Sequence, residues 1–189
     1  MTTLLTGLLL FFGIHSMSLV AMPLRNRLAA RNALAWKGFY SIASVLGIVL
    51  IVVGYSELRT ASTILYATPF WMRYVSAALM LPVFVFFLAS LFPGRIQAAL
   101  KNPLLVSIKT WALAHLLVNG ALADVMLFGS FLLWAIAVRV SLKSRETRQY
   151  PRAPKSPAND AIVLVAGLAL YAVTILWLHE WLFGVPIMV

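Results

Sequence analysis

Residues 38–55 read GFYSIASVLGIVLIVVGY, an uninterrupted apolar stretch without a charged side chain. A helix needs about 20 such residues to cross the hydrocarbon core of a bilayer, because each residue advances the chain by only ~1.5 Å. The stretch therefore predicts a transmembrane helix. A membrane-spanning β-barrel would instead need short segments in which polar and apolar residues alternate.

The rest of the chain has the same character as this stretch. Of its 189 residues 62% are hydrophobic and 11% are charged, and the mean hydropathy is +0.95. A soluble fold of this size could not bury so much apolar surface. The sequence thus predicts an integral membrane protein with the lipid bilayer as its solvent, organised as a single domain over residues 1–189. The chain has no cysteine, which excludes disulfides and thiolate ligands.

Further apolar stretches extend the prediction to an all-α, six-helix membrane bundle. The predicted helices are Thr2–Met22, Gly38–Tyr55, Arg73–Phe92, Pro103–Asn119, Leu122–Val140 and Ala161–Phe183. Pro93-Gly94, Asn102-Pro103 and Asn119-Gly120 separate neighbouring helices, because proline cannot continue the hydrogen-bond ladder and glycine favours turns. Pro82 lies inside the third helix and is expected to kink it.

Basic residues are distributed unevenly among the predicted loops. If the basic loop 23–37 is cytoplasmic, loops 93–102 and 141–160 share that side, and only Arg59 and Arg73 of the 15 Lys and Arg residues lie opposite. The cytoplasmic side then holds Arg25, Arg27, Arg31, Lys37, Arg95, Lys101, Lys109, Arg139, Lys143, Arg145, Arg148, Arg152 and Lys155. Positive charge marks the cytoplasmic side. We therefore expect a bacterial inner membrane location with a periplasmic N-terminus, and we attribute the net charge of +10 to topology and anionic lipid rather than to nucleic acid.

All three histidines fall in predicted membrane helices. Ionisable side chains are costly there and suggest function, although a neutral histidine hydrogen-bonded between helices is an equally good interpretation of any one of them. His15 and His115 are predicted to differ in depth by ~10 Å. That offset suits two ligands reaching one metal from opposite faces of a flat cofactor. Copper bound by His15, Met17 and His115 is a lesser alternative.

Other side chains near these histidines are candidates for the same site. Trp111 and Asn119 share the helical face of His115, one turn to either side. Lys109 either extends to the cytoplasmic surface or pairs with a cofactor propionate. His179 and Glu180 favour an interfacial anchor near the outer end of the last helix, with a proton or substrate group at the outer mouth as the alternative. The absence of a carboxylate from the middle of any predicted helix counts against proton-driven transport.

Three stretches of the sequence resemble the NnrU family of bacterial membrane proteins. They are GLLLFFGIHS at 7–16, the helix Tyr40–Tyr55, and WALAHLLVNG at 111–120, followed by LFGS at 127–130 and by Trp134. The family is associated with denitrification and is related to the 15-cis-zeta-carotene isomerase, a haem b enzyme with two axial histidines.

The resemblance implies haem b as cofactor, with His15 and His115 as its axial ligands. It also implies a role in nitrogen-oxide metabolism or an isomerisation, with a hydrophobic small-molecule substrate or an electron-transfer partner. Two departures matter: Ala112 stands where the isomerase has a cysteine, and Asn102 stands where many relatives have histidine. A non-catalytic membrane protein that assists the assembly or transport of another complex remains the alternative.

Overall fold

The structure, a computed structural model, describes residues 1–143 and 152–187. Its helices are α1 (Thr2–Val20), α2 (Met22–Arg31), α3 (Ala33–Arg59), α4 (Met72–Met80), α5 (Val83–Ala89), α6 (Arg95–Leu100), α7 (Pro103–Leu116), α8 (Leu122–Ser141), α9 (Asn159–Val173) and α10 (His179–Phe183), with a π-helical turn at Thr174–Leu178. Residue contacts divide the chain into two compact units: unit 1 comprises Met1–Tyr66 and Gly120–Ser130, and unit 2 comprises Ala67–Asn119 and Phe131–Val189.

The all-α class of the prediction is confirmed for the described residues. Four helical segments there are long and apolar enough to cross a membrane: Ala33–Arg59, Met72–Ala89, Leu122–Ser141 and Asn159–Phe183. They correspond to the second, third, fifth and sixth predicted helices. The count of six is not confirmed, because α7 has only 14 residues and α1 forms a sharply bent pair with α2. Arg145, Glu146, Arg148 and Pro151 of the predicted 141–160 loop lie outside the described residues.

The prediction of a basic loop over residues 23–37 is wrong. The chain turns by 81° after α1 and continues as α2, which carries Arg25, Arg27 and Arg31. Proline is well tolerated in the first turn of a helix, where its missing N–H would have no intrahelical partner, and arginine favours helix. Pro23 therefore starts this helix, and the predicted end of the first helix at Met22 moves back to Val20.

Unit 1 is held together by close packing of α1 on α3. Ala43, Gly47, Ile51 and Gly54 recur at helical spacing and form the buried face of α3. A Cβ atom placed on Gly7 of α1 would lie 2.6 Å from the backbone nitrogen of Ile51. The two helices therefore approach backbone to backbone. Small residues allow this in membrane helices, where dispersion contacts drive association.

Unit 2 is built around a break at Pro82, as the sequence predicts. Proline lacks the N–H that would continue the ladder, so the third predicted helix divides into α4 and α5. Side-chain hydroxyls from neighbouring helices bond carbonyl groups around this break. Ser107 Oγ donates to the Val83 carbonyl at 2.9 Å, and the Tyr171 hydroxyl donates to the Ala77 carbonyl at 2.9 Å. Such bonds make a broken helix tolerable in an apolar environment.

Helix α9 completes the core of unit 2. Val85 and Ala89 of α5 pack with Val163 of α9, and all three side chains are buried. Gly167 faces the backbone of Val85, where an added Cβ would come within 2.7 Å. At the end of α9 nearest the 93–102 segment, the Asp160 carboxylate accepts hydrogen bonds from the backbone N–H groups of Arg95 and Ile96. These hydrogen bonds join α9 to the start of α6 at one end of unit 2, and the cavity of the unit lies at the other end.

Candidate functional site

A partly enclosed cavity of about 180 Å³ lies in unit 2. It forms where α4 begins, where α7 ends and where α9 continues into the π-helical turn, so three helix termini surround it. The polar side chains in its wall come from all three regions: Arg73, Ser76, His115, Asn119, Tyr171, Thr174 and His179. Most of the remaining wall is apolar. The cavity thus combines convergent polar side chains with an apolar wall, a combination that small-molecule sites share.

His115 has a fixed ring orientation in this wall. Its Nδ1 lies 2.9 Å from the carbonyl oxygen of Trp111, one turn earlier in α7. A carbonyl can only accept a hydrogen bond, so Nδ1 carries the proton and Nε2 of the neutral ring presents a lone pair. The Trp111 ring lies 5.3 Å from the imidazole and is itself in edge-to-face contact with Phe131. Trp111 and His115 therefore lie on one face of α7, as the sequence predicts.

His179 lies in the same cavity wall as His115, at the first residue after the π-helical turn. Its Nδ1 lies 2.8 Å from the carbonyl oxygen of Val185, which follows a left-handed Gly184 at the end of α10. Glycine permits that reversal without a Cβ clash, and the chain folds back to place Val185 beside the histidine. Because a carbonyl only accepts, Nδ1 carries the proton here too, and the lone pair of the neutral ring is on Nε2.

His15 belongs to unit 1 and has a local geometry very similar to that of His115. Its Nδ1 lies 2.8 Å from the carbonyl oxygen of Phe11, again one turn earlier in its own helix. The imidazole stacks on the Phe11 ring at 4.1 Å and lies 5.2 Å from the Tyr40 ring. Both histidines on the family-like motifs thus have Nδ1 bonded to a carbonyl and the lone pair on Nε2, and each lies beside an aromatic ring that comes one turn earlier.

This arrangement is the one that metal-bound histidines adopt. A hydrogen bond from Nδ1–H to a carbonyl fixes the tautomer and the ring orientation and raises the basicity of Nε2. His15 and His115 each have this hydrogen bond within their own unit. The chemistry of each histidine, taken by itself, is therefore compatible with binding a haem iron. Their pairing on one iron stays a prediction. In residues 1–143 and 152–187, no three His, Cys, Asp or Glu side chains form a metal-binding group.

The other predicted site residues occupy different places. Asn119 lines the cavity with His115, whereas Lys109 is half-buried on α7 and is not part of the cavity wall. Glu180 and Trp181 are exposed beside His179, as an interfacial anchor requires, but His179 itself faces the cavity.

Sequence reasoning missed that Arg73, Asn119 and His179 line one cavity. The signal was available, because all three were predicted at the outer ends of their helices. Alternating topology brings such ends to one side of a bundle.

The fold and the cavity indicate an all-helical membrane protein with polar groups held between its helices. The family model described as NnrU protein matches residues 3–187, almost the whole chain. The chain therefore belongs to the NnrU family, as its histidine-bearing motifs predicted. None of the curated proteins and none of the solved structures matches it.

Proposed function

We propose that this protein is a haem b-binding membrane protein of nitrogen-oxide metabolism, with His15 and His115 as the axial ligands. The observation that carries the proposal is the shared geometry of these two imidazoles, each held through Nδ1 by the carbonyl four residues earlier. Family membership supports a denitrification-related role. With no cysteine in the chain, histidine and methionine are the common haem ligands that it can offer.

The residues around each histidine have defined tasks in this proposal. The carbonyl groups of Phe11 and Trp111 hold the rings and strengthen Nε2 as a donor of electron density. The Phe11 and Trp111 rings form apolar walls that exclude water. Asn119 offers a hydrogen-bonding amide close to His115, and Lys109 offers a positive charge to a propionate. Bound haem b would supply one-electron redox chemistry or a Lewis-acidic iron for isomerisation.

The absorbance spectrum of detergent-purified protein from haem-replete cells tests this function. Bis-histidine ligation gives a low-spin spectrum, and we expect His15→Ala and His115→Ala each to lose haem or to convert the iron to high spin. His179→Ala is the matched control and should leave the spectrum nearly intact. If instead His179→Ala lost the low-spin spectrum and His115→Ala kept it, the proposed pairing would be wrong. A colourless wild-type preparation would favour the non-catalytic assembly role.

We also propose that the chain crosses the bacterial inner membrane six times, with the N-terminus in the periplasm. This adds α7 and the bent α1–α2 pair to the four helices of full spanning length. The proposal is supported by the basic residues of α2 and of the 93–102 segment. Six consecutive crossings would place both of these on the same side of the membrane. Reporter fusions at residues 30, 97 and 150 should all indicate the cytoplasm. A periplasmic signal at any of these positions would overturn the topology.

A further inference from the structure

Helix α2 lies across one end of the α1–α3 pair in unit 1. Leu4 of α1 lies against Gly54 of α3, and the ring of His15 lies 5.2 Å from that of Tyr40, so the two helices run antiparallel along their length. In the proposed topology α1 and α3 therefore cross the bilayer side by side. The chain turns by 81° between α1 and α2. This turn directs α2 along the membrane surface rather than through the hydrocarbon core.

Both carboxylates of unit 1 lie at the end of the pair opposite to α2. Glu57 accepts a hydrogen bond from the hydroxyl of Thr3 at the start of α1, and Asp124 accepts one from the hydroxyl of Tyr55 near the end of α3. Nearly the whole length of α3 separates them from α2, which is more than about 30 Å at ~1.5 Å per residue. Helix α2 carries three arginines and no acidic residue. Unit 1 thus offers no negative side chain near its basic helix.

One face of α2 combines leucine with arginine. Leu24, Arg27, Leu28 and Arg31 follow the spacing i, i+3, i+4, i+7, which places them together on one side of a helix. Leu24 and both arginines are exposed, and Leu28 is half-buried. On a helix that lies in the membrane interface, leucine enters the acyl boundary and the long arginine stem lets the guanidinium reach the phosphates. Arginine binds phosphate oxygens in a bidentate manner.

We propose that α2 is an interfacial helix whose Arg27 and Arg31 bind the phosphate groups of anionic phospholipids. The proposal rests on the proposed crossing of the bilayer by α1 and α3, and it does not depend on haem. A lipid is favoured over a soluble phosphate because the exposed Leu24 on the same face needs an apolar phase, which the acyl chains supply. Anionic lipids are also attracted to basic segments that adjoin membrane helices.

Fluorescence quenching at α2 in reconstituted vesicles tests this site. The chain has no cysteine, so Ala30→Cys gives a unique attachment point for a fluorophore, at an exposed position between Arg27 and Arg31. The labelled full chain is placed in phosphatidylcholine vesicles that contain traces of either phosphatidylglycerol or phosphatidylcholine with a nitroxide near the headgroup. We expect phosphatidylglycerol to be enriched at the label about fivefold for each arginine. Raising the salt from about 0.1 M to about 1 M should reduce this enrichment.

A double variant tests the two arginines themselves. Arg27→Gln with Arg31→Gln should lower the enrichment of phosphatidylglycerol at the label at least about fivefold. Arg95→Gln with Lys101→Gln is the matched control, because it removes the same charge from exposed residues of unit 2. The control should leave quenching at the label unchanged.

Equal quenching by the two lipids in the labelled parent protein would overturn the proposal, and this comparison needs no arginine variant to fold. The same holds if the arginine double variant kept the enrichment, or if the control lost as much of it. Competition by soluble glycerol phosphate at constant ionic strength would assign the arginines to a soluble phosphate instead. Absence of quenching by either lipid would place α2 away from the membrane surface, a failure of the proposed topology. The absorbance spectrum of the same samples reports haem separately.

Discussion

The two units of this protein stabilise membrane helices by opposite means. In unit 1 the 27-residue helix α3 is uninterrupted and packs on α1 through glycines that admit backbone contact. In unit 2 a proline break at Pro82 separates α4 from α5, and a π-helical turn follows α9. Hydroxyl groups of neighbouring helices bond carbonyls around the proline break. Close packing leaves little room in the contact between α1 and α3, whereas the irregular helices of unit 2 surround a cavity.

This contrast associates irregular backbone with the candidate ligand site. Away from its ends, a regular helix satisfies its own backbone hydrogen bonds and leaves no backbone group available to a ligand. A break or a π-helical turn changes the direction of side chains and separates neighbouring helices locally. His115 and His179 share a cavity on this irregular scaffold, while His15 stacks closely on Phe11 within the uninterrupted part of α1. The units should therefore respond differently to mutation.

The largest effect is expected from filling the glycine contact of unit 1. In Gly7→Ala the new methyl group would lie 2.6 Å from the Ile51 backbone nitrogen, which cannot move without separating α1 from α3. Overpacking of this kind costs about 1–3 kcal/mol and occasionally more, and a clash with backbone belongs at the upper end. Unfolding of the purified protein in a denaturing detergent series measures the loss.

Gly13→Ala is the matched control, because it lies on the same helix and an added Cβ meets no atom within 4 Å. It should be neutral or should stabilise the protein by up to ~1 kcal/mol through helix propensity. Equal destabilisation by both substitutions would mean that unit 1 does not depend on close backbone packing, and the comparison between the units would lose its basis.

A smaller effect is expected from the one buried carboxylate of unit 1. The Tyr55 hydroxyl donates to Asp124 Oδ1 at 2.6 Å, and Asp124 is 9% exposed. Tyr55→Phe keeps the ring but removes a hydrogen bond to a carboxylate, which is worth about 1.5–3 kcal/mol. Tyr74→Phe, at a tyrosine that is 57% exposed, is the control and should change stability by less than ~0.5 kcal/mol. The same detergent series distinguishes them, and a negligible change in Tyr55→Phe would contradict the assigned bond.

Much of this architecture was predictable from the sequence, because its causes are local. Long apolar runs specify helices, and Pro82 and Asn102-Pro103 specify where one breaks and another begins. The 23–37 segment departs from its prediction because positive charge does not distinguish a loop from a helix, whereas a proline in a first turn followed by arginines is compatible with a helix.

The cavity was less predictable, because its causes are not local. No sequence pattern marks the π-helical turn at Thr174–Leu178, and the bond from His179 to Val185 depends on a chain reversal at Gly184. The cost of an ionisable side chain in a membrane indicates single histidines such as His15 and His115 as candidate functional residues. Which side chains share a cavity depends on packing between helices distant in sequence, and the pairing of His15 with His115 stays a prediction.

In unit 2 the hydroxyl bonds around the broken helix should have a moderate effect. Ser107 is 4% exposed and its Oγ donates to the Val83 carbonyl of another helix. Ser107→Ala should cost about 0.6 kcal/mol, the average measured for hydrogen bonds between membrane helices, and at most about 1.7 kcal/mol. Ser90→Ala is the control, because Ser90 bonds the Phe87 carbonyl of its own helical turn and is more accessible than Ser107. If Ser90→Ala cost as much as Ser107→Ala, bonding between helices would not be what stabilises the break.

The smallest effect is expected at the start of α3, where the uninterrupted helix of unit 1 begins. The Asn32 side chain accepts a hydrogen bond from the backbone N–H of Ala35 at 2.9 Å, whereas α4 and α9 of unit 2 begin without a side-chain cap. Asn32→Ala removes this cap and should cost about 0.5–1 kcal/mol, because one backbone N–H loses its partner at an exposed terminus.

Asn32→Asp retains the acceptor and adds a negative charge that favours a helix N-terminus, so it should match or slightly exceed the wild type in stability. Hydrogen exchange of the amides in the first turn of α3 provides the measurement. Faster exchange in Asn32→Ala, restored in Asn32→Asp, is the expected result. Unchanged exchange in Asn32→Ala would mean that water replaces the cap at no cost, and that α3 begins as the uncapped helices of unit 2 do.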